Sequence, residues 1–485
     1  MSKHQVLVAS NRGPVSFSLR DDGSLVARRG GGGLVSGLSS VAGTGTDVLW
    51  ICAALSDPDR AAARRAPEGR LDLDGHDTGS GAVQMLDIAA ATFHRAYNGV
   101  ANSTLWFVHH LLFDTPNSPH FGRAWQREWA SYRSYNASFA TALAAASDKV
   151  ADPGGVRALV QDYHLTLAPR MLRDAHPTLR IAHFSHTPWA PPDYFRLLPA
   201  AVGREVLDGV LGADHAGFLC DRWARAFLDC CAEFLGADVD HSSRTVRYRG
   251  GTTQVAVHAL GVDGTELRER ANGADVAARM QALREVVGDH RLIVRVDRTE
   301  LSKNIVRGLA AYRELLATHP QWRGNVTHLA FAYPSRHDLP EYREYTASVQ
   351  RIAREIEDEY AADDWEPLIL QVNDDYPRSL AAYRLADVLL VNPIRDGMNL
   401  VAKEGPVLSE RGCALVLSRE AGAAAELGQD ALLVNPFDVS GTAEALHEAL
   451  SMSQDERRAR CARLAATATL LPPQKWFADQ LDALG

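Results

Sequence analysis

Short, almost wholly apolar runs recur along the chain, each followed by a stretch whose apolar residues return at helical spacing. The first half carries QVLVAS, VLWICA, RALVQDY, RIAHFSH, HAGFLC and QVAVHALG. The second half carries RLIVRVDR, VTHLAFAY, LILQVN, DVLLVNP, CALVLS and ALLVNP. Continuous apolar strands alternating with amphipathic helices predict parallel sheets covered on both faces. The predicted class is α/β, with two Rossmann-like doubly wound domains facing a central cleft. The second series starts afresh after residue 262, so the domains are expected at 1–262 and 263–470. Pro472-Pro473 breaks the preceding helix, and residues 471–485 are expected as a final helix packing back on the first domain. Residues 18–33, SLRDDGSLVARRGGGG, are predicted to be a mobile loop.

A length of 485 residues with 46% hydrophobic composition agrees with two soluble domains. A formal net charge of -9 excludes nucleic acid as the expected partner, because a phosphate backbone needs a basic face. A small anionic ligand held by local arginines remains compatible with it. No apolar run has the length of a membrane span, and MSKHQVLVASNRG lacks a secretory apolar segment. A cytoplasmic protein without membrane partners is expected, with self-association left open. The six cysteines, at 52, 220, 230, 231, 413 and 461, include no CxxC pair and are expected in the core. The sequence shows neither a cluster of metal ligands nor a nucleophile elbow, so no cofactor and no metal are expected.

In doubly wound folds ligands sit outside the carboxyl ends of the strands, and several predicted strands end in unusual residues. The first ends at Ser10-Asn11-Arg12, and Gly30–Gly33 then precede a helical stretch. Glycines let backbone approach a ligand, and a guanidinium matches phosphate. Asp162 and His186 end two successive strands, where they are placed to position hydroxyls. Arg298 ends another, with Lys303 five residues on. Two cations at one strand tip call for an anion between them, and a diphosphate is the natural one. Arg336 is directed to the same rim. RDGMNLVAKEG at 395–405 follows a core strand; its helix is expected to begin near Met398 or Asn399, with free amides facing an anion. Glu404 is placed to accept ribose hydroxyls. The sum describes a sugar-nucleotide or nucleotide-phosphate site.

In these residues the chain resembles the trehalose-6-phosphate synthases, retaining glycosyltransferases of the GT-B architecture. The resemblance spans nearly the whole chain. It includes SNR at 10–12, GGL at 32–34, YN at 97–98, LW at 105–106, DYHL at 162–165 and H-x-P at 186–188. It continues with SK at 302–303, SR at 335–336, RDGMNLVAKE at 395–404 and AGAA at 421–424. It implies transfer of glucose from a nucleoside diphosphate glucose to glucose 6-phosphate, giving α,α-trehalose 6-phosphate. Carried over by position, Arg298 and Lys303 hold the donor diphosphate, with the amides of Asn399, Leu400 and Val401 assisting. Glu404 holds the ribose. Asp396, His186 and the backbone of Gly397 and Met398 grip the donor glucose, and Gly33 lies near the donor phosphate. Asp162 holds acceptor hydroxyls. Arg12, Tyr97 and Arg336 clamp the acceptor phosphate, and Trp106 lines its pocket. Asp162, His186, Arg298 and Lys303 are the expected catalytic set. Arg395 and Lys403 receive no ligand role; they orient the loop or face solvent.

Two positions depart from the family pattern. Ala53 stands where many members carry a Trp near the acceptor. Asp374, Asp375 and Ser379 stand where an apolar residue is frequent beside the base, and acidic acceptors suit a guanine edge, so GDP-glucose is expected ahead of UDP-glucose. Three alternatives remain beside glucosyl transfer to glucose 6-phosphate. One is a pseudo-glycosyltransferase joining a nucleotide-cyclitol to an aminocyclitol phosphate, against which the full RDGMNLVAKE run argues. Another is transfer to a different phosphorylated acceptor. The third is a non-catalytic sugar-phosphate sensor, against which the retained Arg298 and Lys303 argue. The length is expected to leave no room for an appended phosphatase domain.

Overall fold

The computed structural model describes residues 5–29, 47–78, 81–150, 155–336 and 338–485. It divides into two compact units: Met1–Leu260 with Pro473–Gly485, and Gly261–Pro472.

The strands of the first unit are β1 (Val6–Ser10), β2 (Val15–Leu19), β3 (Leu25–Arg29), β4 (Val48–Ala53), β5 (Ala82–Leu86), β6 (Arg157–Gln161), β7 (Arg180–Ser185), β8 (His215–Phe218), β9 (Asp238–Asp240), β10 (Thr245–Tyr248) and β11 (Gly251–Val257). All but β2 and β3 form one sheet in the order β5-β4-β1-β6-β7-β8-β11-β10-β9. From β5 to β11 the pairing is parallel, and β10 and β9 add an antiparallel edge. Every residue of β1 and of β4 is buried, which is why these runs lack polar alternation. Numbered among themselves, β1 and β4 to β8 lie in the order 3-2-1-4-5-6 of the dinucleotide-binding folds.

The expected loop at 18–33 is corrected in part. Residues 15–29 form the antiparallel hairpin β2-β3. Its turn is built by Gly23, at φ +79°, and by Asp22 Oδ1, which accepts the Ser24 N–H at 2.9 Å. The buried Asp59 pins the hairpin by accepting the Phe17 N–H at 2.7 Å. Gly30–Gly33, including Gly33, lie outside the described residues.

The second unit holds β12 (Arg291–Arg298), β13 (Val326–Tyr333), β14 (Leu368–Gln371), β15 (Val388–Val391), β16 (Ala414–Ser418) and β17 (Leu432–Val434). Its sheet is parallel throughout, in the order β14-β13-β12-β15-β16-β17. This is again the order 3-2-1-4-5-6. Ile293, Val388, Leu390 and Val416 pack with Leu309 and Tyr312 of the helix Ile305–Thr318 and with Leu446 and Leu450 of the helix Val439–Ser451. Each such leucine contributes about 1.5–3 kcal/mol by leaving water.

After Pro472 the helix Pro473–Asp482 belongs to the first unit. Its Trp476 is buried and meets Phe184 of β7 edge-on, with ring centroids 4.9 Å apart. Among the described residues no helix is long and apolar enough to cross a membrane.

In each sheet the strand order reverses at one place, between β1 and β6 and between β12 and β15. Connections diverge there, and the crevice outside the carboxyl ends is where such folds take ligands.

Candidate active site

In the first unit, β1 delivers Arg12. Ser10 Oγ donates to the Arg12 carbonyl and accepts from Trp50 Nε1, each at 2.7 Å, while Asn11 Oδ1 accepts from the Tyr135 hydroxyl at 2.7 Å. These bonds fix the backbone and leave Arg12 exposed. The neighbouring strand β6 leads into Asp162, whose φ of +74° is sparsely populated for a carboxylate residue. Its Oδ1 accepts the His186 N–H at 3.2 Å. Because β6 and β7 pair in parallel, Asp162 and His186 meet at their tips.

The His186 ring lies 4.9 Å from that of Phe184 and 5.4 Å from that of Trp476. Burial, with His183 close by, pushes its pKa down to about 3, so the imidazole is neutral. Tyr97 lies in the π-helical turn Arg95–Leu105, stacked between Phe93 at 5.2 Å and His164 at 5.6 Å. Trp106 is buried, 3.8 Å above His110 and 5.6 Å from Tyr163. Tyr163 and His164 directly follow Asp162, so Tyr97, Trp106 and Asp162 share one neighbourhood. Ala53 is buried, and its N–H donates to the Asn11 carbonyl at 3.2 Å.

In the second unit, Arg298 ends β12 and is largely exposed, with Nη1 3.3 Å from Glu300 Oε1. Lys303 closes the following turn, Leu301–Lys303, and its Nζ lies 2.5 Å from Asp396 Oδ2, beyond the end of β15. Burial opposes the Lys303 charge, but Asp396, Asp297 and Glu300 outweigh it and raise the pKa, keeping the ammonium. Glu300 is fully buried and still ionised. Burial pushes its pKa up, but Arg298, Arg336 and Lys303 together hold it at about 2. Ser335 Oγ donates to Glu300 at 2.8 Å. Arg336, at φ +46°, donates from Nη1 to the Tyr342 hydroxyl at 2.6 Å and lies over the Tyr342 ring.

This corrects one expectation. The cations were expected to need a ligand as counter-ion, yet Glu300 and Asp396 already serve them, and Asp297 pairs with Arg295 at 2.7 Å. Arg336 sits beside Glu300 and Arg298 in the second unit, whereas Arg12 and Tyr97 belong to the first.

The segment Arg395–Leu400 is a clamped loop. The Gly422 N–H donates to the Asp396 carbonyl at 3.0 Å, and the Ala423 N–H to the Met398 carbonyl at 2.9 Å. Gly422 has to be glycine here, since a Cβ would lie 1.9 Å from the Gly397 carbonyl oxygen. Asn399 Nδ2 donates to Asp396 Oδ2 at 3.1 Å. The helix begins at Val401, not at Met398 or Asn399 as expected, because Asn399 is left-handed at φ +75°. Leu400 caps it, and its carbonyl accepts the N–H groups of Lys403 and Glu404. Among the described residues, no backbone carbonyl takes the N–H groups of Asn399, Leu400 and Val401. They form the N-terminal end of this helix, where amides without a carbonyl partner favour an anion.

Lys403 is fully buried and tied to Glu426 at 2.6 Å, while Arg395, also buried, lies 3.9 Å from Glu420. Both therefore brace the loop from behind, and neither faces solvent. Glu404 is half-buried, and burial pushes its pKa up to about 7, partly offset by Tyr383. Near the base position, Asp375 caps the helix Tyr376–Leu385 and pairs with Arg279 at 2.9 Å. Ser379 is buried against the Tyr333 hydroxyl. Of these three polar residues, Asp374 alone is exposed. Among the described residues no three His, Cys, Asp or Glu are grouped as a metal ion needs. Sequence reasoning missed Glu300, Gln161, Trp476 and Gln480; of these, Glu300 alone carried a local signal, two residues after Arg298.

Comparison with known proteins gives a consistent picture. The family model for glycosyltransferase family 20 matches residues 4–485. A bifunctional trehalose-6-phosphate synthase/phosphatase of Thermoproteus tenax is 32% identical over 99% of this chain. The chain spans only 63% of that relative's length. A trehalose-6-phosphate synthase of Mycobacterium avium is 33% identical, covering 99% of this chain and 94% of its own. A validamine 7-phosphate valienyltransferase of Streptomyces hygroscopicus subsp. jinggangensis is 29% identical, covering 100% and 95%. Among solved structures, a UDP-forming α,α-trehalose-phosphate synthase of Burkholderia vietnamiensis superimposes with a TM-score of 0.82 at 30% identity, covering 99% of each chain. The E. coli trehalose-6-phosphate structure bound with UDP-2-fluoro glucose gives 0.85 at 26% identity, covering 99% of this chain and 98% of its own.

Proposed function

The chain belongs to glycosyltransferase family 20, and from that premise we propose that it moves glucose from a nucleoside diphosphate glucose to glucose 6-phosphate. The product is α,α-trehalose 6-phosphate, formed with retention. The observation that carries this is the pairing of Lys303 with Asp396 across the point where the second sheet reverses. Arg298 and the open amides of Asn399, Leu400 and Val401 stand beside that pair. A diphosphate is met there by two cations and a helix end, and a sugar by Asp396 with the backbone of Gly397 and Met398. Glu404 takes the ribose. His186, neutral, orients the donor glucose, and Asp162 the acceptor hydroxyls. Arg12, Tyr97 and Arg336 take the acceptor phosphate beside Trp106.

Attack from the leaving-group face through a short-lived oxocarbenium ion pair accounts for retention without a protein nucleophile. The departing phosphate oxygen removes the acceptor proton. The protein aligns the reactants and stabilises charge growing on the leaving diphosphate. Arg298 and Lys303, already fixed by Glu300 and Asp396, need little reorganisation to do so. No metal and no cofactor enter this scheme.

Guanine preference depends on Asp374, because Asp375 and Ser379 are engaged within the protein. The neighbour bound with UDP-2-fluoro glucose speaks for uracil. Similarity to the valienyltransferase keeps nucleotide-cyclitol transfer as a second reading, against which the intact Asp396–Glu404 run argues. A donor-by-acceptor matrix with product identification tests all of these. Failure of glucose 6-phosphate with every nucleoside diphosphate glucose overturns the proposal, and faster turnover with UDP-glucose retires the guanine preference.

A further inference from the structure

The helix Pro473–Asp482 reaches the His186 ring through an ordered line of amides. Gln480, buried on that helix, donates from Nε2 to the Trp476 carbonyl at 3.2 Å. A backbone carbonyl can only accept, so this bond sets the direction of the Gln480 amide. Gln480 Oε1 then faces Gln161, whose Nε2 donates to it at 3.4 Å. With its amide nitrogen so committed, Gln161 presents Oε1 to the imidazole, 2.9 Å from His186 Nε2. That contact is a hydrogen bond only if Nε2 carries the proton. Among the described residues nothing takes Nδ1.

We propose that Gln161 and Gln480 are positioning residues that hold His186 as the Nε2–H tautomer and present its bare Nδ1 as a hydrogen-bond acceptor. Which nitrogen of a histidine is free follows from the bond its other nitrogen makes. Here that bond originates at a backbone carbonyl two side chains away. Asp162 is engaged elsewhere: its Oδ1 accepts the His186 backbone N–H at 3.2 Å, and its Oδ2 lies 3.8 Å from His164 Nδ1. Phe184 and Trp476 flank the imidazole and limit its rotation.

The chemical consequence rests on the proposal that His186 meets the donor sugar. A bare Nδ1 accepts from a sugar hydroxyl and cannot donate to one. The hydroxyl is then obliged to turn its own lone pairs elsewhere, which selects one orientation of the sugar.

The test reads the imidazole directly. The full chain is labelled with 15N-histidine, and the His186 resonances are identified by their loss in His186→Gln. Without substrate, Nε2 is expected to be protonated and Nδ1 bare from about pH 6 to about pH 8. In Gln480→Met, Gln161 is free to turn over. The two tautomers then average, and the donor KM rises roughly 3- to 10-fold with the acceptor KM unchanged. A wild-type spectrum showing Nδ1–H or an imidazolium overturns the proposal, whether or not the variants fold. Unchanged resonances and donor KM in Gln480→Met overturn it as well. Because the spectrum needs no substrate, a chain that shows the Nε2–H form but transfers no glucose refutes the proposed function and leaves the relay standing.

Discussion

Gly422→Ala probes the donor loop from behind, pressing on the Gly397–Met398 backbone without replacing any residue expected to meet ligand. The added Cβ would lie 1.9 Å from the Gly397 carbonyl oxygen, 2.8 Å from its carbon and 3.2 Å from Met398 Cα. All three are backbone atoms in a loop pinned by hydrogen bonds to Asp396 and Met398. None can rotate aside as a side-chain tip would. Ordinary contact at about 3.5–4 Å requires the 397–398 backbone to retreat by more than about 1 Å. Overpacking of this kind costs about 1–3 kcal/mol, or a fall of roughly 2–10 °C in Tm for a unit of this size. If that backbone grips the donor glucose, a displacement of this size costs about 100-fold in kcat/KM for the donor, equal to about 2.7 kcal/mol. Nucleotide release at saturating glucose 6-phosphate measures the second effect, and a melting curve the first. A lowered Tm with unaltered donor kinetics refutes the placement of the loop on the donor. Unaltered values of both refute the packing argument itself.

Arg298→Ala should lower kcat/KM for the donor by about 100- to 1,000-fold and should also lower the Tm, because the buried Glu300 carboxylate loses a countercharge; near-normal turnover well below the melting range contradicts the diphosphate role. Glu404 has a pKa of about 7, raised from the ordinary 4.5 by burial. It is therefore protonated on the acid side and becomes the better hydroxyl acceptor as pH rises through 7, so the donor KM should fall between about pH 6 and about pH 8. Glu404→Gln should flatten that profile, and a flat profile in the unaltered chain dismisses the ribose contact. The same raised pKa makes the ligand-free fold more stable on the acid side, a contribution lost as pH rises from about 4.5 to about 7; melting curves of the Glu404→Gln variant between those values should lack it. Glu426→Ala removes the carboxylate 2.6 Å from the fully buried Lys403 ammonium and should cost up to about 3–5 kcal/mol, read by denaturant unfolding; a loss below about 1 kcal/mol shows that the pair is dispensable.

Most of the parallel strands were legible because both faces are covered, which erases polar alternation and leaves unbroken apolar runs; the edge strand β5, half-exposed at every second residue, was passed over. Their ends were legible too, since Asp162, His186 and Arg298 interrupt such runs abruptly. The start of the helix at Val401 was not. A left-handed Asn399 depends on the loop that Gly422 and Ala423 hold, and these lie more than twenty residues further on. The β2-β3 hairpin was passed over although Asp21-Asp22-Gly23-Ser24 is a turn signal, because the glycines that follow it suggested one continuous loop. Glu300 was visible beside Arg298. Its importance was hidden because a cation pair can be balanced by a bound anion or by the protein, and spacing does not distinguish the two. The contact of Gln161 with Gln480, 319 positions apart, has no local pattern to reveal it.

The return of Pro473–Gly485 to the first unit has a consequence for synthesis. β6 is made early, yet Arg157 at its start bonds a carbonyl 328 positions later in the chain. His186 leaves the ribosome with its strand and then waits for the entire second unit to be translated before Trp476 and Gln480 arrive to seat it. Closing so long a loop is slow relative to local folding. A nascent chain can thus assemble most of its first sheet while the imidazole is still unbacked. Translation that stops short of Pro473 supplies every strand of both sheets but not the residues that back that imidazole.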